Sequence, residues 1–160
     1  MFFEERNVCL LGISIDSNSS HLAWMFDIYE KTGIKIPFPI IADVNGIIAR
    51  KYGMIVNDIS TTQTVRNVFI IDDKGIIRVI LVYPLNVGRS VSEIIRIIDA
   101  LQISDKTKSS IPANWMPGMP VVVTSPKTFN ELEERTKNIN EKNNGMNWYL
   151  SFNNETEDEK

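Results

Sequence analysis

The chain has 160 residues, 43% hydrophobic and 23% charged, which fits one globular domain with a small appendage. Its net charge is −3 and no basic run appears, so a nucleic-acid binder is excluded, since phosphate neutralisation needs clustered Lys and Arg. No apolar stretch approaches the roughly 20 residues that a bilayer demands.

The start, Met1-Phe2-Phe3-Glu4-Glu5-Arg6, offers no long apolar region for a signal peptide. A cytoplasmic location is therefore expected, and the Asn-x-Ser/Thr matches at Asn18 and Asn154 carry little meaning. Cys9 is the only cysteine and His21 the only histidine. An intrachain disulfide is impossible, and no Cys/His zinc set can be assembled. No metal or other cofactor is expected. A cysteine protease would have to pair Cys9 with His21.

Val8-Cys9-Leu10-Leu11-Gly12-Ile13-Ser14-Ile15 is apolar almost throughout and reads as a strand covered on both faces, as in a parallel sheet. Asp16 to Ser20 is rich in capping side chains. Leu22, Met25, Phe26 and Tyr29 then follow helical spacing, with Gly33 as a C-terminal stop. Pro37 to Asp43 reads as extended, and a short helix is expected from about Gly46 to Tyr52. Val65 to Asp72 and Ile76 to Tyr83 form a hairpin signal around Asp73-Lys74-Gly75. Ser90-Val91-Ser92-Glu93 is a capping box opening a helix whose apolar face is Val91, Ile94, Ile95 and Ile98.

After residue 103 the character changes. Ile111 to Pro120 is a proline-rich connector. A short strand at Val121 to Thr124, a polar helix from Asn130 to Asn140 and an aromatic strand at Trp148-Tyr149-Leu150 follow. The tail from Asn153 to Lys160 is expected to be solvated and disordered.

Several segments in order resemble the one-cysteine, archaeal-type branch of the peroxiredoxins. They are Gly12-Ile13-Ser14-Ile15-Asp16-Ser17, His21-Leu22-Ala23-Trp24, Pro37-Phe38-Pro39-Ile40-Ile41-Ala42-Asp43, Thr64-Val65-Arg66-Asn67-Val68-Phe69, Tyr83-Pro84-Leu85-Asn86-Val87-Gly88-Arg89 and Ile111-Pro112-Ala113-Asn114-Trp115. The resemblance implies an α/β class, thioredoxin-like fold, with a partial peroxiredoxin domain at 1–103, a C-terminal α+β dimerisation extension at 104–152 and an acidic tail at 153–160. It implies a thiol-specific peroxidase, in which a cysteine thiolate attacks a hydroperoxide O–O bond and becomes a sulfenic acid. Its partners would be a hydroperoxide substrate, an external thiol reductant and further copies of the chain, as a dimer or ring of dimers.

In the family the reacting cysteine lies in a proline–threonine–cysteine motif upstream of these segments, and no such motif occurs here. Phe3 to Asn7 is expected to be the exit of that helix, with the first strands and catalytic helix missing and the chain alone inactive. The competing reading is a truncated paralogue that acts as a subunit-interaction or regulatory partner of a complete peroxiredoxin. A thioredoxin-fold reductase or isomerase lacks its Cys-x-x-Cys pair here.

The resemblance makes Arg66 the arginine that reaches the reacting sulfur and the peroxide oxygens. A guanidinium suits that role, because it stays charged and hydrogen-bonds a departing oxyanion through a rigid fork. Arg89 aligns with a second family arginine, with a plain loop charge as the equal alternative. Thr64 positions the Arg66 strand or simply favours a strand. Cys9 is expected to be an inert core residue and His21 a structural one. Trp24 and Trp115 are expected in the core or at a subunit contact. Some relatives carry a cysteine where Ser151 stands, so recycling by an external thiol is expected.

Overall fold

Strand and helix signals alternate along the chain, and the computed structural model follows that alternation. It describes residues 2–55, 66–138 and 147–153. After a 3-10 turn at Glu4–Arg6, the elements are β1 (Gly12–Ser14), α1 (Asn18–Thr32), β2 (Ile40–Ala42), α2 (Ile47–Lys51), β3 (Arg66–Ile71) and β4 (Ile77–Tyr83). Then come α3 (Val91–Thr107), β5 (Val121–Val122), α4 (Phe129–Asn138) and β6 (Phe152–Asn153). The chain divides into two units, Met1–Ser90 and Val91–Lys160.

In the first unit β1 and β2 pair in parallel, with Gly12 opposite Ile40 and Ser14 opposite Ala42. A Cβ on Gly12 would lie 3.2 Å from Ile40 Cγ1, so glycine permits this close approach. Ser17 caps α1 by accepting the Ser20 N–H at 3.2 Å, and the helix ends where the Gly33 N–H reaches the Tyr29 carbonyl at 2.8 Å.

Two expectations fail here. The strand predicted over Val8–Ile15 is only three residues long, and Cys9, Leu10 and Leu11 are exposed rather than covered. The predicted inward stripe of α1 is also displaced. His21 is buried and Met25 and Ile28 are half-buried, whereas Leu22, Phe26 and Tyr29 are exposed together with Trp24. Two three-residue strands are too short to cover more than one stripe of a 15-residue helix, so the neighbouring apolar stripe stays uncovered.

Asp43 joins the end of β2 to α2. Its N–H donates to the Ser14 carbonyl at 2.8 Å, and its buried carboxylate accepts the Ala49 N–H at 2.7 Å. Burial pushes this carboxyl up, but the N–H groups of Ala49, Ile48 and Ile47 and the charge of Arg50 together hold it below the usual 3.8.

The hairpin forms as its turn residues predict. Gly75 takes φ +76°, and Asp72 accepts the N–H groups of Lys74 and Ile76 at 3.0 and 2.9 Å. In the antiparallel register Arg66 lies opposite Tyr83, Val68 opposite Leu81 and Phe69 opposite Ile80. Arg66, Val68 and Ile70 therefore share one face, and Asn67 and Phe69 the other. On the second face Tyr52 packs edge-on against Phe69 with centroids 5.2 Å apart, and an open apolar cleft is lined by Lys51, Tyr52, Phe69, Ile77 and Ile80.

The second unit is built around Trp115, which is fully buried. Its indole N–H donates to the Met119 carbonyl at 2.8 Å, and its own carbonyl accepts from Arg96 on α3 at 3.1 Å. Arg96 is held in turn by Glu93 through two bonds of 2.7 and 2.8 Å. Ile94 and Ile98 are buried as expected, while Val91 is exposed. β5 and β6 pair antiparallel, with Val122 opposite Phe152.

The aromatic strand expected at Trp148–Leu150 is instead a turn. Leu150 N–H bonds the Asn147 carbonyl at 3.0 Å, and the Asn147 side chain accepts the Trp148 N–H at 2.8 Å, so asparagine starts a turn that outweighs aromatic strand preference. The expected polar helix is α4; the end of its predicted span, Thr64, Val65 and the tail at 154–160 lie outside the described residues.

Replacing Asp43 by Asn should lower the thermal midpoint at pH 7. A carboxyl with a depressed folded value adds stability above its unfolded value and loses it as pH falls through the folded one. The gap between wild type and Asp43→Asn should therefore close below pH 3.8. Thermal melts from pH 7 to pH 2 check this, and a constant gap would contradict it.

Candidate functional site

Arg66 opens β3, and the hairpin register sets its neighbourhood. Because it lies opposite Tyr83, the last residue of β4, the turn that follows β4 comes back beside the arginine. That turn is closed by the Val87 N–H on the Pro84 carbonyl at 3.0 Å. It presents the Leu85 carbonyl to Arg66 Nε at 2.9 Å. The remaining guanidinium nitrogens bond no other described residue, and no carboxylate among the described residues pairs with this charge. A guanidinium fixed through Nε presents its two outer nitrogens as a planar, permanently charged fork.

Arg89 lies four residues beyond Leu85 in an exposed segment. No hydrogen bond or ion pair joins it to another described residue. The open cleft at Phe69 and Ile80 belongs to the opposite face of the hairpin from Arg66. Cys9 is exposed, and no hydrogen bond links it to either arginine. The inert-core reading of Cys9 is thus corrected: the residues around it are apolar, but they do not cover it.

Sequence reasoning left a second cluster unread. The Ser14 hydroxyl lies 2.7 Å from His21 Nε2 and donates to Asp16 Oδ2 at 2.7 Å. The single hydroxyl proton goes to the acid, so Nε2 carries the hydrogen and donates to Oγ, leaving the buried Nδ1 without a partner among the described residues. A serine nucleophile needs the reverse polarity, with histidine accepting from the hydroxyl and the acid orienting the histidine. The cluster therefore locks β1 to the first turn of α1. The signal that could have found it was position: Ser14 ends β1, and His21 sits on the buried stripe of α1.

Residues 2–80 match the AhpC/TSA family, and residues 100–138 match the C-terminal domain of 1-Cys peroxiredoxin. Peroxiredoxin 2 of Caldanaerobacter subterraneus subsp. tengcongensis is 58% identical over 150 residues, which are 94% of this chain and 67% of that protein. The chain belongs to the peroxiredoxin family.

The peroxiredoxin of Aquifex aeolicus is 53% identical over 137 residues, covering 86% of this chain and 59% of its own length. Among solved structures, a yeast mitochondrial 1-Cys peroxiredoxin superposes with a TM-score of 0.80 at 37% identity, over 95% of this chain and 73% of that one. A peroxiredoxin 6 of Arenicola marina gives 0.81 at 31% identity, over 98% and 74%. The expected α/β, thioredoxin-like peroxiredoxin fold is thereby established. The chain spans 59 to 67% of the length of three curated relatives that it matches.

The exposed Cys9 makes a direct prediction. It should react with an aromatic disulfide reagent in the native chain as completely as in urea, one thiol per chain. A thiol that reacts only on unfolding would contradict its placement.

Proposed function

We propose that this peroxiredoxin chain supplies the arginine part of a thiol-peroxidase site, with Arg66 as the group that binds and polarises a hydroperoxide. The reading is carried by Arg66, whose Nε is tied to the Leu85 carbonyl while its outer nitrogens are left open. In the reaction a thiolate attacks one peroxide oxygen, the O–O bond breaks, and the sulfur becomes a sulfenic acid. The leaving hydroxide or alkoxide carries the developing negative charge. A preset guanidinium stabilises it without reorganising. Arg89, on the same connecting segment, is proposed as a second positive contact for the substrate.

Cys9 is not the attacking sulfur. It lies in an exposed apolar stretch, with no cation bonded to it among the described residues. The isolated chain is therefore proposed to be inactive toward peroxide. Reduction by an external thiol, assembly with further copies and a cytoplasmic location complete the reading. Among the described residues no helix is long and apolar enough to cross a membrane. The exposed Leu22, Phe26, Tyr29 and Trp24 on α1 favour a second role, as a subunit that contacts a complete peroxiredoxin.

A chimera tests the catalytic reading: this chain replaces the residues it matches in the Caldanaerobacter relative, and hydrogen peroxide consumption is followed with dithiothreitol. The chimera should turn over, and Arg66→Ala should lower kcat/KM by about 10²–10³, as for the loss of an oxyanion donor. Cys9→Ser should leave the rate unchanged. Full activity of the Arg66→Ala chimera would overturn the assignment, and so would activity of the isolated chain that Cys9→Ser abolishes.

A further inference from the structure

Met116-Pro117-Gly118-Met119 forms a turn between the buried Trp115 and the start of β5. Proline stands at the second position of this turn and Gly118 takes φ +87° at the third, the pattern of a type II turn. The Met119 N–H closes it on the Met116 carbonyl at 3.0 Å. The Trp115 indole N–H holds the Met119 carbonyl at 2.8 Å. The Met119 side chain then folds back across the turn, where its Sδ accepts the Met116 N–H at 3.3 Å. Met119 is thereby fixed by two bonds at its backbone and one at its sulfur.

A thioether is a weak acceptor on a flexible unbranched stem, and an exposed methionine ordinarily keeps no single orientation. Met119 is held and yet 45% exposed. Among the other described methionines Met54 is buried and Met25 half-buried, whereas Met116 is exposed and no hydrogen bond to another described residue holds its sulfur. A thioether sulfur carries two lone pairs. In Met119 the Met116 N–H occupies one of them, and the other is left as the nucleophile.

We propose that Met119 is a site of stereoselective, reversible oxidation by hydroperoxides. Its open lone pair attacks one peroxide oxygen, the S–O bond forms and the O–O bond breaks. The leaving hydroxide or alkoxide takes the proton of the transferred oxygen, so the products are the sulfoxide and water or an alcohol. Sulfur gives up two electrons and the peroxide takes both. With one lone pair occupied, one of the two sulfoxide epimers forms in excess. Its oxygen is a far stronger acceptor than the thioether, and rotation about the Cγ–Sδ bond brings it onto the Met116 N–H. The oxidised turn is therefore kept and Trp115 stays covered, whereas oxidising a core methionine puts a polar group into an apolar site. A thiol-driven reductase specific for that epimer restores the thioether. This inference needs neither Cys9 nor the role given to Arg66.

The test treats the full chain with hydrogen peroxide, once in buffer and once in urea, and then digests it. Each sulfoxide, located by fragmentation in the mass spectrometer, is exposed to one or the other of the two epimer-specific sulfoxide reductases. In buffer one epimer at Met119 should exceed the other by about five- to tenfold, the bias that one ordinary hydrogen bond sustains. Met116 should give both epimers in near-equal amounts, and in urea the bias at Met119 should vanish. In the oxidised native chain the Met116 amide should exchange more slowly than before, and the Trp115 indole N–H should stay protected. In Met119→Leu, peroxide should leave exchange of the Met116 amide unchanged. Equal epimers at Met119 in buffer would overturn the proposal, and so would a Met119 that stays reduced while Met116 is oxidised. Faster exchange of the Met116 amide or of the Trp115 indole N–H after oxidation would overturn it as well.

Discussion

The hydrogen bond from Arg66 Nε to the Leu85 carbonyl, 2.9 Å long, is the interaction on which the proposed site depends. An exposed arginine ordinarily samples many rotamers, and a swinging charge is a poor oxyanion partner. The antiparallel register removes that freedom in steps. Pairing Arg66 with Tyr83 puts the end of β4 beside the start of β3, and the turn closed between Pro84 and Val87 then carries the Leu85 carbonyl to Nε. The register is held at the other end by Asp72, whose carboxylate gathers two turn amides and Arg78. Hydrogen bonding, chiefly from the Ile76 N–H, keeps that carboxyl below its usual value. A charge fixed by its own backbone is preorganised, and that is what catalytic electrostatics requires.

Elsewhere in the first unit, apolar pattern exceeds apolar burial. Ala49 and Met54 are buried, while α1 keeps Leu22, Phe26 and Tyr29 outside and the exposed Leu10 and Leu11 precede β1. The second unit behaves differently: Trp115 and Val121 are enclosed, and Arg96 ties α3 to the proline-rich connector. Burying an indole contributes several kcal/mol, about 3–5 by the usual truncation values. The proline–tryptophan segment is thus the structural centre of its unit. The family resemblance marked it; the packing explains why tryptophan stands there.

The elements legible in the sequence were those set by local chemistry. The hairpin followed from Gly75 and its flanking β-branched runs, the start of α1 from the capping cluster Asp16 to Ser20, and the stop from Gly33. What was not legible depended on partners distant in sequence. Whether Val8–Leu11 is covered cannot be read from its own apolar residues, and Cys9 was misplaced for that reason. The face that α1 buries depends on the length of the strands beneath it. The Ser14–Asp16–His21 lock needed the knowledge that β1 ends against the first turn of α1. Arg66 was found by resemblance, but its tie to Leu85 came only from the register.

The most direct measurement of the central claim is through-bond. In the uniformly labelled chain, a scalar coupling between Arg66 Nε and the Leu85 carbonyl carbon reports their hydrogen bond without reference to activity. The account predicts a resolved coupling together with slow exchange of the Arg66 Hε. A rapidly exchanging Hε without that coupling would show a freely rotating guanidinium and contradict the account.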